Sequence, residues 1–195
     1  MKTRRLPANG FTIIELLIAV ALVVIVLALA LPSFQNLILV QRLKSVNQQL
    51  VTDLQLARGE AVSRNTFLRV GFGSTSSVTC YVLFTSTGNS ARCDCTLGPG
   101  AACSGNPAAT TEVKTVQVDR SLSVQVNATS GLSAFAFDPV TGGIYSIPTD
   151  LTSAALSSFV ITTSIDSTRY LKTTVAATGR PSVCAGIAGL GYTAC

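Results

Sequence analysis

The hydrophobic pattern divides the chain into three stretches with different periods. From Leu16 to Leu31 the sequence runs LLIAVALVVIVLALAL, without one polar side chain. Counted from Phe11 to Leu31, this apolar run makes about 31 Å of helix at 1.5 Å per residue, enough to cross a bilayer core. Pro32 interrupts it, and a kink is expected there because proline removes a backbone donor and crowds the preceding turn. Beyond it, Leu43, Val46, Leu50, Leu54, Ala57 and Ala61 recur at spacings of three and four, one apolar stripe on an amphipathic helix. Arg42, Lys44, Gln48, Asp53, Gln55 and Arg58 fill the other faces. The stripe barely reaches three heptads, so it is expected to pack on the protein's own globular part rather than in a coiled coil.

After Asn65 the period changes to short β-rich segments punctuated by Gly, Ser, Asn and Pro. Strands are predicted over 66–72, 78–85, 113–118, 122–126, 133–137, 158–165 and 169–177. VKTVQV and LSVQV alternate apolar with polar, as half-buried strands do. DPVTGG at 138–143 reads as a turn, and so does GFGS at 71–74. The small-residue segment from Asn89 to Ala109 reads as a loop stapled by its cysteines. The fold class is therefore α+β, with a long N-terminal helix packed on a C-terminal antiparallel sheet domain. Its expected divisions are a leader over 1–10, a transmembrane helix over 11–34, an amphipathic continuation over 35–64 and a globular domain over 65–195.

Composition narrows the function. The net charge of +5 falls to +2 once Lys2, Arg4 and Arg5 are set aside, since eleven basic residues then face nine acidic ones. That balance does not by itself call for a polyanionic partner. Histidine is absent, so no Ser-His-Asp triad can be assembled, and no S-x-x-K motif replaces it. No catalytic residues and no cofactor are expected. Six cysteines, Cys80, Cys93, Cys95, Cys103, Cys184 and Cys195, all follow the apolar run. An even count on one side of a membrane span reads as disulfides in an oxidising compartment. Cys184 and Cys195 are expected to pair, and the first four to form two more bridges in an order left open. A zinc site built from those four is the alternative, although C-x12-C-x-C-x7-C lacks the usual C-x2-C knuckles.

One residue contradicts its surroundings. Glu15, in GFTIIELL, places a carboxylate at the lip of the apolar run, where an acid near a membrane helix centre costs roughly 2.5 to 3.5 kcal/mol. The leader MKTRRLPANG is basic, which should hold it in the cytoplasm and send the rest across. No A-x-A-like site closes the apolar run, and the small residue Gly10 precedes it.

The string G-F-T-I-I-E-L-L-I-A-V resembles the processing site and first helix of type IV pilins and of the pseudopilins of type II secretion. The resemblance implies cleavage between Gly10 and Phe11 by a prepilin peptidase, N-methylation of Phe11, and a single inner-membrane pass. The C-terminal domain would then lie in the periplasm and enter a pilus after assembly with other pilins or pseudopilins. Glu15 would act as a registry device, its carboxylate pairing with the N-terminal amine of a neighbouring subunit so that the desolvation of both charges is offset. FAFDPVTG at 135–142 and TTVAATGRPSVC at 173–184 resemble the GspH/FimT group of minor pilins and pseudopilins. The closing GLGYTAC is similar to the tails of pilus members. FimT-like proteins that bind DNA share a Gly-Arg-x-Arg motif; Gly179 and Arg180 match it, and Ser182 stands in place of the second arginine. The resemblance thus makes Arg180, with Arg169 and Lys172 nearby, a candidate contact to DNA.

Overall fold

The computed structural model describes residues 11–87, 92–105, 109–129, 131–147, 154–188 and 190–195, apart from the side chains of 29–33. One helix, α1 (Ile13–Arg64), is followed by nine strands among the described residues. These are β1 (Leu68–Ser74), β2 (Val78–Ser86), β3 (Thr110–Asp119), β4 (Gln125–Ala128), β5 (Ala134–Phe137), β6 (Ile144–Ser146), β7 (Ser158–Ser164), β8 (Tyr170–Ala176) and β9 (Pro181–Ala185). The chain forms two compact units, 1–38 and 39–195.

In the first unit α1 is helical through Pro32 without a break. Its large apolar side chains from Ile13 to Leu27 are each more than half exposed. Among the described residues no helix is long and apolar enough to cross a membrane.

In the second unit the strands form two antiparallel sheets, ordered β3-β2-β1-β5-β6 and β4-β7-β8-β9. The stripe on α1 is the reason both are held in one core. Leu43, Leu50, Leu54, Ala57 and Ala61 are wholly buried, and they share a cluster with Leu68, Val70, Leu83, Phe135 and Phe137 of the larger sheet and Val126, Ile161, Leu171 and Val175 of the smaller. Aromatic rings bridge the sheets: Phe159 of β7 stacks on Phe72 of β1 at 5.8 Å and tilts against Phe135 of β5 at 4.5 Å. Cys80, Val82 and Phe84 of β2 belong instead to a second cluster, under the 93–103 loop.

Several expectations need correction. Asp53 does not sit on a solvated face: it is 2% exposed, and its carboxylate accepts hydrogen bonds from the Tyr81 hydroxyl and the Lys114 ammonium, both at 2.7 Å. GFGS is not a turn but the end of β1, where a Cβ at Gly73 would come within 3.0 Å of the Cys95 sulfur. A side chain there would press on the Cys80–Cys95 disulfide. The strand expected over 122–126 is shortened to β4 because Arg120–Leu122 is a 3-10 turn ending in Ser123 at φ 58°. Asp119 drives that turn by accepting the Ser121 N–H at 2.7 Å. β6 and β9 carried no strand signal, being three residues long and led by a proline on the sheet's edge.

Candidate functional site

The N-terminal end of α1 is built by a cap. Thr12 lies just outside the helix, accepts the Glu15 N–H on its hydroxyl at 3.3 Å, and takes the Leu16 N–H on its carbonyl at 3.2 Å. Thr-Ile-Ile-Glu is the capping-box pattern, so this turn could have been read from the sequence. Glu15 therefore stands in the first turn, where the helix dipole favours a negative charge. Its carboxylate is exposed and has no partner among the described residues. Phe11, 78% exposed, precedes the cap by one residue, and Gly10 lies outside the described residues.

A second cluster forms in the globular unit, where the two stretches singled out near the C-terminus meet. Asp138 folds the first into a tight turn, its Oδ2 accepting the Thr141 N–H and hydroxyl, both at 2.7 Å. Burial works against the charge on Asp138, but the Thr141 hydrogen bonds outweigh it and hold its carboxyl below the ordinary range. The second stretch forms the β8–β9 turn, in which Gly179 adopts φ 76° and donates its N–H to Ala176 at 2.8 Å. A Cβ on Gly179 would run into the Gly142 carbonyl oxygen, so the two turns interlock only because that position is glycine. Arg58 of α1 closes the arrangement by donating from Nε to the same Gly142 oxygen at 3.1 Å. An open cleft of about 780 Å³ lies here, with Arg58, Val62, Ser63, Val140, Thr141 and Arg180 in its walls. No local pattern announces that Arg58 joins these turns, since it is separated from Gly142 by 84 positions.

The candidate DNA contacts do not gather. Arg169 is not on β8 but precedes it, and its guanidinium pairs with Asp166 at 2.7 Å. Asp166 also accepts the N–H groups of Thr168 and Arg169, which holds its carboxyl far below the ordinary range. Lys172 lies within β8, opposite Thr162 and Cys184. Ser182 of β9 donates to the Thr174 carbonyl at 3.2 Å. Of the three basic residues, Arg180 is the exposed one, and it lies just before β9.

All six cysteines are in disulfides: Cys80 with Cys95, Cys93 with Cys103, and Cys184 with Cys195. None remains as a thiolate for zinc. The first bridge fastens the 93–103 loop to β2, the second closes the loop on itself, and Asp94 shapes it by accepting the Thr96 N–H at 2.9 Å. The third straps the tail beside β9, where the Cys195 N–H donates to the Ala185 carbonyl at 3.0 Å and the Ala185 N–H to the Thr193 carbonyl at 2.8 Å.

Two family models match the chain. The one described as Type II transport protein GspH covers residues 47–179, and the one described as the prokaryotic N-terminal methylation motif covers residues 5–31. The first takes in Asp53, Arg58 and both interlocked turns, and the second takes in Gly10, Phe11 and Glu15. No curated protein and no solved structure matches the chain.

Proposed function

The chain belongs to the GspH family and carries the prokaryotic N-terminal methylation motif, which makes it a minor pilin or pseudopilin; within that class we propose that it is a minor pilin acting in the assembly or priming of a type IV pilus. Prepilin peptidase cuts between Gly10 and Phe11, and the new amine of Phe11 is methylated. Residues 11–34 hold the subunit in the inner membrane, with the globular domain in the periplasm, until it is extracted into the filament. Glu15 selects the axial position by pairing with the amine of a neighbouring subunit.

The observation that carries this reading is an unpartnered carboxylate in the first turn of an otherwise bare apolar helix. Two separated charges in a membrane cost several kcal/mol each, and bringing them together recovers much of that. The test is an immunoblot of sheared pili. The expected result is wild-type protein in the filament fraction and processed Glu15→Ala protein confined to the membrane.

The match to GspH favours a second reading, a minor pseudopilin of type II secretion built and processed in the same way. Deleting the chain would then block release of secreted proteins while leaving surface pili unchanged. The same immunoblot separates the two, since a pseudopilin is absent from sheared pili in the wild type as well.

A further inference from the structure

The cleft between α1 and the interlocked turns has the composition of a protein-docking site with an unmatched charge. Its walls carry two guanidiniums, Arg58 and Arg180, together with Val62, Val140, Ser63 and Thr141. Val140 is 82% exposed and Val62 49%, so apolar surface stands open beside the two cations. Arg58 is anchored through Nε to the Gly142 carbonyl, which aims its fork without neutralising it. Neither arginine has a carboxylate partner among the described residues. Arginine is among the residues enriched in the energetically dominant part of protein interfaces.

We infer that this cleft receives a segment of a different pilin-type subunit, one that presents an Asp or Glu beside an apolar side chain. The inference rests on the reading of the chain as a pilin-type subunit and adds the surface and the chemistry by which it chooses a neighbour. A second copy of this chain is a poor occupant, because among the described residues its acids are largely engaged. Asp53, Glu60 and Asp166 are ion-paired, Asp94 and Asp119 cap 3-10 turns, Glu112 accepts from Thr115 and Gly100, and Asp138 accepts from Thr141. Among the described residues that leaves Glu15, in the apolar segment, and the buried Oε2 of Glu112. Nucleic acid is also a poor occupant. A phosphate track needs a run of cations with bases stacked on aromatic rings, and this cleft offers two arginines, no aromatic residue and mainly aliphatic walls.

The test places photoreactive benzoylphenylalanine at position 140 of the full chain in its native cells. Membranes are irradiated, and adducts are identified by mass spectrometry. Arg180→Gln is compared alongside; its side chain is exposed and makes no contact that the fold requires. The expected adduct joins position 140 to another pilin-type subunit near an Asp or Glu, and its yield falls about tenfold in Arg180→Gln. Changing that partner acid to arginine in an Arg180→Glu background restores the yield. Adducts to DNA or to a second copy, no adduct at all, or an unchanged yield in Arg180→Gln overturn the inference. The same cells are sheared for pili. Protein present in filaments without the adduct removes the docking claim alone, whereas protein absent from both pili and secretion assemblies removes the underlying reading.

Discussion

Asp53 shows how a single side chain can be misread from its position on a helix. It falls outside the apolar stripe of α1, which places such residues in solvent by default, yet it is buried between Tyr81 of β2 and Lys114 of β3. Its partners lie 28 and 61 positions away, so no local pattern announces them. Asn47 is a parallel case: its Oδ1 accepts the hydroxyls of Thr163 and Thr173, joining α1 to β7 and β8. Tyr81→Phe should cost about 1–3 kcal/mol at neutral pH, because a buried carboxylate loses one of its two donors; urea denaturation of the disulfide-intact protein measures it. The same pair sets an alkaline limit. Burial raises the Tyr81 pKa above its ordinary value, and the hydrogen bond to Asp53 and the charge of Asp53 raise it further. The folded state therefore keeps a proton that the unfolded chain releases near pH 10. This contribution is complete below about pH 10 and is lost above it, at about 1.4 kcal/mol per unit. Stability curves from pH 8 to 11.5 should fall less steeply in Tyr81→Phe than in the wild type.

Between elements, the interlocked turns carry the clearest structural demand. Gly179→Ala should destabilise by about 2–4 kcal/mol, since the new methyl meets the Gly142 carbonyl and the backbone is already at positive φ. Thermal unfolding would show a lower midpoint, and an unchanged midpoint would mean that the turns separate at little cost. Opening the Cys184–Cys195 bridge by replacing both residues with serine should cost about 3 kcal/mol and free the tail from β9. Both turn stretches were legible as motifs, and the stripe from Leu43 to Ala61 was legible as the helix face that makes the core. What the sequence concealed was contact between distant elements. The two turns touch, Arg58 reaches them from the helix, and the chain forms two sheets with short β6 and edge strand β9. Periodicity reports which side of an element is buried and says nothing about which other element buries it.

Along the chain as a whole, a disulfide-closed globular unit follows an N-terminal segment whose large apolar side chains are exposed. The domain closes its loops with three disulfides, while Phe11 and the large apolar residues from Ile13 to Leu27 stay exposed. A surface of that kind needs lipid first and neighbouring helices afterwards. The capped first turn with Glu15 at its third position was readable from TIIE, and the methylation motif over residues 5–31 sets it beside Gly10 and Phe11. Glu15→Ala should leave the cap, the membrane helix and processing intact and reduce incorporation into filaments at least about tenfold, given the cost of one unpaired buried charge. The most direct test of the account is mass spectrometry of the N-terminal peptide of this chain recovered from sheared pili. The account predicts a peptide beginning at Phe11 with a methylated amine. A peptide that keeps residues 1–10, or one that begins within or after the apolar run, would contradict it.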